Sequence, residues 1–387
     1  MLSRLCDADP ATSGGKAGAL AVLLRGGFPV PDGFVVPNPA PLATSDGGAS
    51  LQVAVAGALA RLGDPVVAVR SSASDEDGVA ASAAGQYETV IGVRGTAEVC
   101  HAIASCRMSA GAARVGDYRR RTSSGNPHGA AGMAVLVQRV VEAEVSGVMF
   151  TPQRPGEPTR IEASWGLGLS VVGGIVTPDA YEAAADGTID CLVGSKLARI
   201  DLAHGLSGVV GSAVAAQQQT ARTLDDGVVA ALAGLGGQIA GTLGGPQDVE
   251  WAVADGKLWI LQARPITAEL PARRVPGPSG PAGVLTGTPG SHGTAAATAR
   301  IVRGPSAFAT VRRGDILVCP YTDPAWTPLF TVAAGVVTET GGALSHAAIV
   351  AREYGIPAVL GVAHATSLIG NGAQIAVDGT AGTIAFL

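Results

Sequence analysis

Short apolar runs bounded by Gly, Pro and polar clusters alternate along the chain with longer Ala/Leu-rich segments, so strand and helix signals are interleaved. Gly33–Val36 reads as a short strand, as do Met133–Val141 and Gly147–Phe150. Val66–Arg70 has the continuous apolar character of a buried strand, predicted to end in the polar turn Ser71–Asp77. Asp248–Val253 and Leu258–Ala263 flank Asp255-Gly256, which predicts a β-hairpin. Residues 17–26 and 226–243 are predicted helices. Further on, Asp315–Cys319, Gly335–Thr338, Ala358–Val362 and Gln374–Val377 read as strands of a compact β/α unit. Its helix, Ser345–Tyr354, is stopped by Gly355 and Pro357. No apolar stretch is read as reaching the ~18 residues of a membrane span.

One break in composition divides this pattern. Residues 271–281 read PARRVPGPSGP, without helical or strand periodicity, and are predicted to be a linker. In polyproline conformation such a segment would span about 34 Å. The expected organisation is 1–270, a linker at 271–282, and 283–387. The 55 glycines among 387 residues predict many turns with positive φ. A net charge of -5 argues against nucleic-acid binding, which needs clustered Lys and Arg. The run Arg119-Arg120-Arg121 reads as a solvated helix face. The start, MLSRLCDADP, lacks the apolar core of a signal peptide. Cys6, Cys100, Cys106, Cys191 and Cys319 are scattered and read as reduced, mostly buried thiols. The expectation is a cytoplasmic α/β protein without a membrane segment.

Three constellations carry candidate chemistry. In Thr338–His346 a strand runs through Gly341-Gly342 into a helix with Ser345 suited to the N-cap, placing His346 in the first turn. Free N–H groups there suit an anion, and the helix dipole would keep the imidazole neutral and nucleophilic. A His that merely caps a helix fits the same spacing. Asp248, Glu250, Gln262 and Arg264 fall on the predicted hairpin, with Glu250 and Gln262 facing one side. Their oxygens suit Mg²⁺ and the guanidinium suits phosphate, although a salt-bridged edge hairpin has the same composition. Lys16 after Gly14-Gly15, and Arg70 at a strand end, can each supply positive charge.

Five segments together resemble the phosphoenolpyruvate synthase and pyruvate phosphate dikinase family, which includes rifampicin phosphotransferase. They are GGKAGALAVLLRGGFPVPDGFVV with VAVRSSASDEDGVAASAAGQYETV, VLVQRVVEAEVSGVMFT, GLGLSVVGGIVTPDAY, PQDVEWAVADGKLWILQARPIT and TGGALSHAAIVAREYGIPAVLGV. The resemblance covers nearly the whole sequence in family order. It implies an α/β (α+β) protein in which an ATP-grasp nucleotide-binding domain of two subdomains is joined by a Pro-rich linker to a small swivelling β/α phosphohistidine domain.

It also implies roles. Lys16 and Arg70 would contact the triphosphate of ATP, with the loop from Gly85 to Thr89 closing over it. Gln138 to Val140 would present backbone to adenine, and Glu144 would reach the ribose. Glu250 and Gln262, assisted by Asp248, would hold Mg²⁺, and Arg264 would sit on the phosphates. His346, in the loop with Gly341, Gly342 and Ser345, would accept phosphate from the β position of ATP, releasing AMP and phosphate, and pass it to a small-molecule acceptor. The alternative implied is a phosphocarrier or regulatory subunit passing the group to a partner protein. Leu344 stands where many relatives have Thr, and Leu169 where they have Glu. The family's acceptor domains have no counterpart in these 387 residues, so the acceptor site is expected either on a separate subunit or in the cleft between the two domains.

Overall fold

The computed structural model describes residues 2–38, 47–73, 89–109, 133–272 and 283–387. Gly85, Arg119-Arg120-Arg121 and all but the first two residues of the 271–282 segment lie outside them. Three large sheets organise the chain. The first is antiparallel throughout, built from β1 (Ser3–Arg4), β2 (Gly33–Val36), β3 (Val67–Ala73), β4 (Thr89–Val93) and β5 (Met133–Arg139), in the order β1-β2-β5-β3-β4. Helices α2 (Gly47–Leu62) and α3 (Gly95–Ser109) pack on it over Val55, Leu59, Val67, Val69, Val99, Ile103 and Val137. Strand β3 does not end at Arg70. Ser71 and Ser72 continue it, fully buried, because the Ser72 hydroxyl donates to the Ser13 carbonyl at 2.6 Å and accepts from the Ala17 N–H at 3.2 Å. A satisfied hydroxyl removes the cost of burying it.

The second sheet is also antiparallel. It comprises β6 (Val145–Phe150), β7 (Thr159–Trp165), β8 (Asp179–Ala183), β9 (Ile189–Leu192), β12 (Gln247–Ala254) and β13 (Lys257–Pro265), in the order β13-β12-β6-β7-β8-β9, while β10 (Ala198–Leu202) and β11 (Val209–Ala213) form a separate ribbon. One face of this sheet carries Met149, Ile161, Tyr181, Val249 and Trp251 into the largest apolar cluster. There they meet α1 (Pro10–Arg25) and α4 (Asp226–Leu243). Helix α4 starts at the N-cap Asp225, whose carboxylate accepts the Val228 N–H at 2.8 Å. Its buried positions Val229, Leu232, Gly236 and Ile239 make one stripe. At 18 residues it is long and apolar enough to cross a membrane by length and composition. The sequence reading, that no apolar stretch attains that length, therefore needs correction; the stripe explains the helix as a sheet-packing element.

The third sheet is mixed. Strands β14 (Val284–Thr286), β15 (Thr288–Ser291), β16 (Thr294–Ile301), β17 (Ile316–Cys319), β18 (Gly335–Thr338), β19 (Ala358–Leu360), β20 (Gln374–Asp378) and β21 (Thr383–Phe386) run in the order β14-β21-β20-β16-β17-β18-β19-β15. The segment β16-β17-β18-β19 is parallel. Helix α5 (His346–Tyr354) follows β18 and buries Ala347, Ala348, Val350 and Ala351 against Leu317, Phe330, Val336 and Leu360. Strand β19 is shorter than the predicted Ala358–Val362. The five cysteines are free, but only Cys106 and Cys319 are fully buried, so burial of most thiols is also corrected.

Candidate functional site

The hairpin turn at Asp255-Gly256 has positive φ at both positions, 50° and 67°, the primed-turn geometry that matches strand twist. It sets the register from Ala254↔Lys257 to Trp251↔Ile260, and an irregularity between Glu250 and Trp251 then pairs Glu250 with Gln262 and Asp248 with Arg264 across the strands. Side chains alternate along a strand, so all four lie on one face. Arg70 reaches over from the first sheet to this face. Its Nη2 lies 3.0 Å from Glu250 Oε2 and 2.5 Å from Gln262 Oε1, and Nη1 donates to the Leu261 carbonyl at 3.0 Å. A cationic nitrogen thus already sits where the two oxygens converge. That observation fits them as donors to a hard cation, with Asp248 two residues away on the same face. No group of three or more His, Cys, Asp or Glu side chains poised for a metal occurs among the described residues, so the amide oxygen of Gln262 would be part of any such set. Arg264 holds Asp248 at 2.8 Å. Burial pushes the Asp248 carboxyl up, and Arg264 opposes that shift.

The other sequence candidates lie at different distances from this centre. Lys16 is buried on α1, its Nζ 3.5 Å from the Ser71 carbonyl, one residue from Arg70. Thr89 opens β4 directly across from Arg70 and is a strand residue. Gln138 is buried in β5 with its side-chain amide committed to the Pro31 carbonyl at 3.1 Å. Val140 lines an open cleft of about 490 Å³ with Pro31, Asp32, Arg61 and Trp259. Glu144 lines a different cleft, of about 420 Å³, with Trp165, Arg199 and Leu224. Its carboxylate accepts the Asp255 N–H at 3.0 Å. The structure therefore joins Arg70, Glu250 and Gln262 directly and brings Asp248 with Arg264 beside them, while Glu144 reaches the cleft of Val140 through Asp255, which lines it.

His346 begins α5 after the N-cap Ser345. The Ser345 hydroxyl caps no helix N–H; it donates to the Gly342 carbonyl at 2.8 Å. The His346 ring is 4% exposed, with Nδ1 3.0 Å from Thr322 Oγ1 and Phe330 edge-on. Nε2 is buried and has no hydrogen-bond partner. Burial lowers the imidazole pKa to about 4, so the ring is neutral. The cause of this shift is desolvation of the charged ring.

The loop before His346 rests on the second sheet. Gly341, at φ 101°, donates its N–H to the Val176 carbonyl at 3.0 Å, and the Thr340 hydroxyl donates to the Gly174 carbonyl at 2.6 Å. Leu344, 1% exposed, packs with Val148, Phe150 and Val171. The Leu344 N–H donates to Glu162 Oε2 at 3.1 Å, and the Ala343 N–H also donates to this carboxylate. Register places Glu250, Val148 and Glu162 in one row across β12, β6 and β7, so Glu162 stands two strands, about 10 Å, from Glu250. Arg352 of α5 donates to the Gly290 and Ala343 carbonyls, both at 2.7 Å. It also feels both Glu162 and Asp248, while burial lowers its pKa to about 10. Glu162, Arg352, Thr322 and Phe330 were not found by sequence reasoning. The signal for Glu162 was a carboxylate flanked by Ile161 and Ala163.

Residues 42–276 match the family model for the pyruvate phosphate dikinase AMP/ATP-binding domain, and residues 311–382 match the mobile domain of PEP-utilising enzymes. The chain is 37% identical over 333 residues to a probable phosphoenolpyruvate synthase of Methanothermobacter thermautotrophicus, covering 83% of this chain and 47% of that one. It is 32% identical over 459 residues to the phosphoenolpyruvate synthase of Aeropyrum pernix, covering 96% and 56%. The chain thus spans about half the length of these relatives. A solution structure of Enzyme I aligns with 20% of this chain and 33% of its own, at 30% identity and a TM-score of 0.19, too low to inform the fold. With one model covering more than half of its residues and the mobile-domain model following in order, the chain belongs to the phosphoenolpyruvate synthase and pyruvate phosphate dikinase family.

Proposed function

We propose that this chain is an ATP-dependent phosphotransferase that works through phospho-His346 and releases AMP and phosphate. The observation that carries the reading is the placement of a neutral imidazole with an unpartnered Nε2 in a loop seated on the sheet face that bears Glu250 and Gln262. When Nδ1–H donates to Thr322, the free lone pair is on Nε2, which is the atom that would take the phosphoryl group. Lys16, Arg70 and Arg264 supply the positive charge that a triphosphate needs. Glu250 and Gln262, with Asp248 beside them, would hold Mg²⁺, which neutralises phosphate charge when bound. ATP then gives AMP, inorganic phosphate and one phosphoryl group on nitrogen, with water supplying the oxygen of the released phosphate. Arg70 must exchange its present partners for phosphate as the nucleotide enters. His346, being buried, must move to deliver its phosphoryl group to an acceptor.

The acceptor is a small molecule, bound by this chain or by a separate subunit. The names of the relatives make pyruvate the first to test. Incubation with Mg²⁺ and ATP should yield AMP and phosphate and an acid-labile, base-stable label on the protein. His346→Ala should abolish the label and lower AMP formation by about 10⁴-fold or more. ADP as the sole nucleotide product, or undiminished turnover by His346→Ala, would overturn the proposal.

A further inference from the structure

Glu162 is 4% exposed and is a charged side chain that the reading above does not use. Three observations tie it to the loop that precedes His346. Its carboxylate accepts the backbone N–H groups of Ala343 and Leu344. Gly342, between them and Gly341, lies so close that a Cβ there would overlap the carboxylate. Leu344 plugs the apolar socket of Val148, Phe150 and Val171 beside it. Val148 is the residue between Glu162 and Glu250 in the cross-sheet row. A carboxylate that receives two amides of one tight loop fixes both the position and the orientation of that loop. Leucine at 344 adds apolar contact without a competing hydroxyl.

We propose that Glu162 is a positioning residue that seats the His346 loop on the nucleotide-bearing sheet, with Leu344 as its apolar plug. Its consequence for phosphoryl transfer rests on the function proposed above; the seating itself does not. The carboxylate is an acceptor for the loop amides and takes no part in bond making. Loss of Glu162 would leave two amides unpaired and the socket held by Leu344 alone. Insertion of a methyl group at 342 would push the carboxylate off the same amides.

The test is hydrogen exchange of the full chain without nucleotide, at fixed pH. In Glu162→Ala the Ala343 and Leu344 amides should exchange about tenfold faster or more, while those of β5 and β12 keep their rates. Glu162→Gln retains an acceptor oxygen and should recover part of the protection. Gly342→Ala should reproduce the acceleration, and would add little when combined with Glu162→Ala. Should Glu162→Ala fail to fold, Gly342→Ala and Glu162→Gln still decide the matter. Loop exchange within twofold of the parent in the variants that fold would overturn the seat. With ATP present, labelling of His346 should slow about tenfold in Glu162→Ala at unchanged ATP affinity, with Gln giving partial rescue. Faster loop exchange without any histidine label in the parent protein would leave the seat standing and remove the proposed function.

Discussion

Two buried titratable groups, Glu162, which accepts the Leu344 N–H, and His346, which follows Ser345, respond to pH in opposite directions. Burial pushes Glu162 up to about 7, only partly offset by the Leu344 and Ala343 amides and by Arg352 and Arg160. The folded form therefore binds a proton more readily than an exposed carboxyl does. Stability from this group is full at low pH and is lost as pH rises from about 4.5 to about 7. His346 is depressed to about 4, so its burial disfavours the charged ring. Its contribution is full above about 6.5 and is lost as pH falls towards about 4. Relative to the parent, Glu162→Gln should gain melting temperature as pH is raised from 5 to 8. His346→Asn should gain relative to the parent as pH is lowered from 7 to 4.5. Parallel thermal melts across this range check both signs. His346 itself was legible in the sequence because a strand, a Gly-Gly turn and a helix converge on it. Its neutralising influence was not, since burial depends on Thr322 and Phe330, which come from a segment with no recognisable motif.

At the scale of elements, the β12–β13 hairpin carries the most information. Alternation and Asp255-Gly256 made both strands legible, but the turn's own register would pair Glu250 with Leu261, so the facing of Glu250 and Gln262 rests on a break in that register. The irregularity between Glu250 and Trp251, which shifts the pairing from Glu250↔Gln262 to Trp251↔Ile260, left no such signal. Gly256→Val puts a β-branched residue at φ 67° and should cost about 1–3 kcal/mol, measurable by urea denaturation. Arg70→Lys should be poorly tolerated, because one ammonium cannot span Glu250, Gln262 and the Leu261 carbonyl as the guanidinium fork does. ATP affinity by calorimetry should fall about tenfold or more. Polar residues in strands account for the main error here. Ser71 and Ser72 look like a turn until Ser13 and Ala17 are known to satisfy Ser72. Strands β7 to β11 and β14 to β16 went unread for a related reason. Their runs are short or rich in Thr, Gly and Ala, and only pairing with distant strands selects the extended form.

For the whole molecule, the order of sheet-forming segments followed from motifs scattered through the sequence, whereas the way the third sheet's loop meets the second did not. That junction is made by the Thr340 hydroxyl to the Gly174 carbonyl, by the Gly341 N–H to the Val176 carbonyl, and by Glu162, some 180 positions away from its partners in the chain. Backbone contacts leave little trace in residue identity. Docking also involves Arg352, whose guanidinium feels Glu162 and Asp248 at once. Arg352→Met should loosen this junction while leaving β12–β13 paired, an outcome that hydrogen exchange resolves segment by segment.

The enclosure of the His346 ring, with its second nitrogen bare and facing no donor, makes it a built-in stopwatch. An electrophile such as diethyl pyrocarbonate can carbethoxylate that nitrogen only during moments of exposure. At saturating reagent, the modification rate therefore counts how often the ring comes out into solvent, with no nucleotide, label or acceptor in the tube.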